Sequence, residues 1–146
     1  MRISFDVDDT IVCDDRVPVE QFVPWWKRWW YPERMRHGTR DLMKELLVRR
    51  HELWIYTTSY RPLRYLRRWF ASVGVRLGGV VNQERHEGVV GRQGPSKYPP
   101  AFGIDLHIDD SHGVAEEGQR HRFNVLVVSP YDPRWASRIL EAAGKS

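Results

Sequence analysis

The chain has a single cysteine, Cys13, among its 146 residues. An internal disulfide is therefore excluded, which fits a reducing compartment, and a cytoplasmic location is expected. No histidine stands near Cys13 in sequence, so it reads as a small filler beside the first loop rather than a nucleophile. No apolar run is long enough to span a bilayer, and Met1 leads straight into a strand-like segment instead of a secretion leader. A membrane is accordingly not among the expected partners. Lysine is scarce as well: of 23 basic residues only positions 27, 44, 97 and 145 are Lys, which makes each worth examining. There is no internal repeat and no low-complexity tract, and the length suits one domain, 1–146, with a full core.

What is present is globular. Hydrophobic residues make up 41% of the chain and aromatic residues 12%, which argues against disorder. The formal charge of +4 favours an anionic ligand or partner without identifying it. Apolar, β-prone segments alternate with helical periodicity. Strands are predicted over 2–7, 52–56, 79–82, 104–108 and 123–128, and helices over 39–50, 61–73, 113–121 and 132–143. Thr39 is a plausible N-cap, and Leu63, Leu66, Phe70 and Val73 form a core stripe stopped by Gly74. The stretch 83–96 is predicted to be a long loop or hairpin. Alternation of this kind predicts right-handed βαβ units: an α/β, Rossmann-like three-layer sandwich around a central parallel sheet of about five strands.

The first strand ends abruptly in carboxylates at alternate positions, Asp6 and Asp8, followed by Asp9 and Thr10. Side chains at i and i+2 share a face of a strand, so Asp6 and Asp8 can converge at the sheet's carboxyl edge, where open parallel sheets bind ligands. Two carboxylates held close repel unless a cation or shared proton relieves them, and Mg²⁺ takes oxygen ligands of this kind. The bland alternative is that Asp6, Asp8 and Asp9 merely form a turn. Further sites at strand ends weigh against that. The second strand runs into Thr57-Thr58-Ser59, Lys97 precedes the fourth strand, and the fourth strand delivers Asp109-Asp110. Carboxylates, hydroxyl, ammonium and a second acidic pair are the groups that phosphoryl transfer through a covalent aspartyl intermediate requires.

With D-V-D-D-T at Asp6 to Thr10, T-T-S at Thr57 to Ser59, Lys97, and I-D-D at Ile108 to Asp110, the chain resembles the haloacid dehalogenase superfamily. The likeness is to its phosphatase-type members, of a capless or minimally capped kind, since the interval 11–52 has room for only a hairpin and two helices. The resemblance implies a Mg²⁺-dependent phosphomonoester hydrolase. It makes Asp6 the nucleophile and Asp8 the general acid/base, and it assigns phosphate oxygens to Thr57, or its neighbour Thr58, and to Lys97. It gathers Asp6, Asp8, Asp109 and Asp110 about the metal, Asp110 directly and Asp109 through water or by orienting Lys97. Many members carry one more acidic residue after the last motif, for which Glu116 and Glu117 are equal candidates.

Other features keep several readings open. In Trp25-Trp26-Lys27-Arg28-Trp29-Trp30 the tryptophans, with Phe22, fill one arc of a helical wheel. That arc is core, a lid over the site, or a homodimer interface. Arg61, Arg64 and Arg68 share a helix face that reads as solvated, except that Arg61 is near enough to contact substrate. His107 reads as structural, while His112 could reach the site mouth. The expected partner is a small phosphorylated substrate, with nucleic acid as a second possibility. Two other function classes remain beside the hydrolase: a nucleic-acid end phosphatase or binding module, and a catalytically silent interaction domain. No contiguous basic-aromatic stripe of a single-strand platform is visible in the sequence.

Overall fold

Apolar residues at alternate positions, Ile3 and Phe5 on one strand and Leu53 and Ile55 on the next, give those segments one face to bury and so pair them as a sheet. The structure is a computed structural model describing residues 1–21 and 24–144. Five parallel strands, β1 (Arg2–Phe5), β2 (Glu52–Tyr56), β3 (Gly79–Val81), β4 (Leu106–Asp109) and β5 (Val125–Val127), form one sheet in the order β3-β2-β1-β4-β5. The order reverses direction between β1 and β4, the crevice where doubly wound sheets bind ligands.

The helices are α1 (Trp25–Trp30), α2 (Thr39–Val48), α3 (Leu63–Ala71), α4 (Gln83–Val90), α5 (His112–His121) and α6 (Trp135–Gly144), with a 3-10 helix at Pro99–Phe102. The larger core cluster joins Ile3, Phe5 and Ile55 to Leu46 of α2, Phe70 of α3 and Ile139 of α6. A second cluster, Trp54, Tyr56, Val81, Phe102 and Ile104, fills the space beneath the 3-10 helix. Among the described residues no helix is long and apolar enough to cross a membrane.

Three local expectations are corrected, and one reading left open is narrowed. The stretch 83–96 is not all loop: α4 occupies its first half, capped by Asn82, whose side chain accepts from the Arg85 N–H at 2.9 Å, and ended by Gly91 at φ +92°. Only His86 of this helix is buried, so it has no apolar stripe to betray it. Thr39 is not the N-cap of α2; that position is Gly38, and the Thr39 hydroxyl donates to the Arg36 carbonyl at 2.7 Å. The third helix begins at Leu63 rather than Arg61, because a residue before proline is pushed out of the helical region and Pro62 is the N-cap. The tryptophans of α1 are not core: Trp25, Trp26, Trp29 and Trp30 are 79%, 50%, 81% and 68% exposed. Phe22, assigned to the same arc, lies outside the described residues.

Gly79 is required by packing. It lies opposite Trp54 in the β2–β3 register, and a Cβ there would stand 2.4 Å from the indole ring. Gly79→Ala should therefore lower stability by about 2 kcal/mol, and the melting temperature by about 6 °C, in a thermal scan followed by circular dichroism.

Candidate active site

Where β1 stops, the chain curls back on itself. The Val7 carbonyl accepts from the Ile11 and Val12 N–H groups, both at 2.9 Å, and Asp9 takes a left-handed conformation at φ +62° that Asp tolerates. The turn leaves Asp6 at the carboxyl edge, its N–H still donating to the Ile108 carbonyl of β4 at 2.9 Å. Asp109 ends β4 beside it.

Between the two carboxylates lies Lys97. Its Nζ donates to Asp6 Oδ1 at 2.7 Å and to Asp109 Oδ2 at 2.6 Å, and all three side chains are at most 8% exposed. Asp109 Oδ2 also receives His107 Nε2 at 2.8 Å, and Ser4 Oγ lies 2.7 Å from His107 Nδ1. Burial, with the ammonium of Lys97, pushes the imidazole down to about 4. His107 is therefore neutral at ordinary pH; with an ionised Asp109 as acceptor, Nε2 carries the proton and Nδ1 accepts from Ser4. The network assigns this tautomer. Ser96, next to Lys97, is bound by Glu117 of α5, whose carboxylate accepts from the Ser96 N–H and Oγ, each at 2.7 Å.

Carboxylate oxygens of Asp6, Asp109 and Asp110 all lie within 4.8 Å of one another, an all-oxygen donor set that fits a hard divalent cation such as Mg²⁺. One ammonium does not neutralise three acids. Burial, together with the charges of Asp109 and Asp110 and against the pull of Lys97, raises Asp6 to about 7. Burial also works against charge on Asp109, but the hydrogen bond from His107 and the charge of Lys97 outweigh it and hold that carboxyl well below the usual range. Burial and Asp109 raise Asp110.

Asp8, expected as a fourth metal-binding carboxylate, is not part of this cluster. It is turned outward onto Arg61, which donates from Nη1 to Oδ2 at 3.0 Å and from Nη2 to Oδ1 at 2.9 Å. The remaining Arg61 donors go to Ser59 Oγ and, from Nε and Nη2, to Glu33, which also accepts from the Tyr65 hydroxyl. All five guanidinium hydrogens are engaged. The hydrogen bonds from Arg61 lower the Asp8 pKa, so it is ionised in this arrangement.

Thr57 is fully buried, and its hydroxyl accepts from the Ser59 N–H at 3.1 Å and donates to Ser59 Oγ at 3.0 Å; Thr58 is exposed. Glu116 and His112 are also exposed. Burial raises the Cys13 thiol to about 11, keeping it protonated. His107, read as structural from the sequence, is buried and holds Asp109; its place two residues before Asp109 on one strand puts both side chains on the same face. Sequence reasoning missed Glu33, gave Ser59 no role of its own, and offered Glu117 as a further acid of the site where the structure has it binding Ser96. Nothing in the sequence pairs Glu33 with Arg61, since the contact depends on how the segment after α1 folds back.

No family model matches the chain, and none of the curated proteins does. Among solved structures it is similar to a HAD-superfamily hydrolase, subfamily IA, variant 1, of Geobacter sulfurreducens PCA, at 13% identity over 97% of this chain and 98% of that one, with a TM-score of 0.62. It is also similar to an uncharacterized protein of Corynebacterium glutamicum ATCC 13032 Kitasato, at 14% identity over 98% of this chain and 94% of that one, with a TM-score of 0.55. The chain shares the fold of that HAD-superfamily hydrolase. At these identities the likeness concerns the fold alone, and it is the chemistry of the individual side chains that decides activity.

The raised Asp6 carboxyl makes a pH prediction. A carboxyl with an elevated folded-state pKa stabilises the fold below its unfolded value of 3.8, and that contribution is lost as pH rises through about 7. His107, held neutral with a lowered value of about 4, adds stability over part of the same range, so the Asp6 contribution is read as a difference from Asp6→Asn. Relative to that variant, metal-free wild-type protein should lose on the order of 2–3 kcal/mol between pH 5 and 8. Added Mg²⁺ should raise the wild-type melting temperature at pH 8 more than that of Asp6→Asn. Parallel wild-type and variant profiles indifferent to Mg²⁺ would contradict the charge imbalance.

Proposed function

We propose that the protein is a Mg²⁺-dependent phosphomonoester hydrolase that works through an aspartyl-phosphate on Asp6. The observation that carries this reading is the placement of the Asp6 carboxylate beside Asp109, Asp110 and the buried Lys97 ammonium, at the point where the strand order reverses. The fold it shares with a structure described as a hydrolase supports it.

Asp6, Asp109 and Asp110 would hold Mg²⁺, which when bound supplies positive charge that lets one anion approach another and steadies charge on the transferring group. Asp6 attacks phosphorus in line, its carboxylate oxygen forming the new P–O bond while the ester oxygen departs with the old bonding pair. Lys97 holds the Asp6 carboxylate in position and adds a cation beside the phosphoryl oxygens. Water then attacks phosphorus, releasing inorganic phosphate and the Asp6 carboxylate. Asp8, ionised against Arg61, is ready to take the proton from that water. To protonate the leaving oxygen in the first step, Asp8 must come away from Arg61 and arrive protonated. Thr57 reaches a phosphoryl oxygen only if its hydroxyl turns away from Ser59.

Release of p-nitrophenol from its phosphate ester tests the reading. Asp6→Asn should lower turnover by three orders of magnitude or more while the protein still folds, since the shape is kept and the nucleophile lost. Chelation of Mg²⁺ should abolish turnover, and Ca²⁺ should restore little of it, because its looser and higher coordination suits in-line transfer poorly. Absence of wild-type turnover with Mg²⁺ across a panel of phosphomonoesters would refute the proposal.

A further inference from the structure

The fold assembles a surface that the linear sequence conceals. Helix α1 lies along the outer flank of α3. Lys27 Nζ donates to the Ser72 carbonyl at the far end of α3, Tyr31 packs on Tyr65 with ring centroids 6.0 Å apart, and Glu33 meets Arg61 beside Asp8. The line from α1 through Tyr31 to Glu33 therefore leads from the far end of α3 to the mouth of the candidate active site. Along it stand the four exposed tryptophans, and a cleft of about 300 Å³ lined by Trp30, Tyr31, Arg64, Tyr65 and Arg68 opens beside them. Arg28, Arg64 and Arg68 are exposed and make no ion pair among the described residues. The nearby acids are occupied: Glu33 is bound by Arg61 and Tyr65, and Glu20 accepts from the Arg40 N–H.

Flat aromatic faces in series beside unpaired cations suit a chain that carries flat bases and phosphates. We propose that this surface is a track for single-stranded nucleic acid, and that the substrate of the site at its end is a terminally phosphorylated oligonucleotide. The second half of this inference rests on the phosphatase reading. Charge complementarity selects the occupant. A second copy docked through the same patch would set Arg28, Arg64 and Arg68 against a like set, which disfavours an isologous dimer. An anionic membrane matches the charge, but a six-residue helix with no aliphatic side chain is a poor interfacial anchor.

Binding is measured by fluorescence anisotropy of a labelled oligothymidylate with the intact, metal-free protein, so that it does not depend on turnover. Wild-type protein should bind at micromolar or lower concentration at low salt and progressively more weakly as salt rises. Trp25→Gln/Trp29→Gln and Arg64→Glu/Arg68→Glu should each weaken binding about tenfold or more, with melting temperatures close to wild type because these side chains are exposed. With Mg²⁺, the same variants should raise KM for a phosphorylated oligonucleotide at similar kcat and leave p-nitrophenyl phosphate turnover unchanged. The track is overturned if the oligonucleotide does not bind, if the variants bind it equally well, if phosphatidylserine vesicles bind in its place, or if the patch instead supports a dimer that the variants dissociate. Failure to hydrolyse p-nitrophenyl phosphate would fall on the phosphatase reading alone, because the anisotropy arm still reports on the track.

Discussion

The Lys97 ammonium is the interaction on which the site depends. Asp6 and Asp109 are nearly inaccessible to water, and two carboxylates buried side by side repel unless a cation or a shared proton relieves them; here the cation is Lys97. Removing one partner from a buried ion pair costs about 3–5 kcal/mol in general, because the other charge is stranded. Much of the neighbouring architecture serves to keep this one side chain in place. Glu117 fixes Ser96 before it, the Tyr98 N–H donates to the Tyr56 hydroxyl after it, and the buried Pro99 and Phe102 root the 3-10 helix that follows. The Tyr98-Pro99-Pro100 run that follows Lys97 is a stiff splint: a residue before proline is confined to extended backbone.

Charge is distributed unevenly over the molecule. At the site, the carboxylates of Asp6, Asp8, Asp109, Asp110 and Glu33 share two cations, Lys97 and Arg61. The chain as a whole is nonetheless positive by 4. The surplus of cations therefore lies outside the site, part of it on the α1–α3 flank. An acid-rich centre calls for a divalent cation, while a basic flank attracts an extended anion. The two patches of opposite charge lie at different places and do not cancel.

How much of this was legible in the sequence follows from what each feature depends on. Strands with period-two alternation, such as Ile3–Phe5 and Leu53–Ile55, announced themselves, and so did the acids at their ends, because both signals are local. Helix α4 was invisible because it buries only His86 and has no periodic face. The tryptophan arc was visible, but an arc alone cannot say what it faces; the structure leaves it to solvent. The basic-aromatic surface was discounted because its members are split between residues 25–31 and 62–68, two segments brought together only when α1 lies along α3. Arg61 was singled out for its closeness to the second motif, yet its binding of Asp8 and Glu33 together was beyond sequence reasoning, since those partners are 53 and 28 residues away.

The central place of β1 has a consequence for how the molecule comes into being. Phe5 pairs with Ile55 on one side and with Ile108 on the other, so β1 has partners about fifty and a hundred residues downstream. Parallel pairings at that separation form late, because a long loop must close before any contact rewards it. Asp6 is therefore made long before it is completed: it meets Asp109 only once β4 has docked against β1. A chain without that pairing holds the Asp6 carboxylate apart from Asp109 and Asp110. The carboxylate cluster thus exists only where two segments about a hundred residues apart have found each other, and its assembly reports on the most distant contact of the central strand.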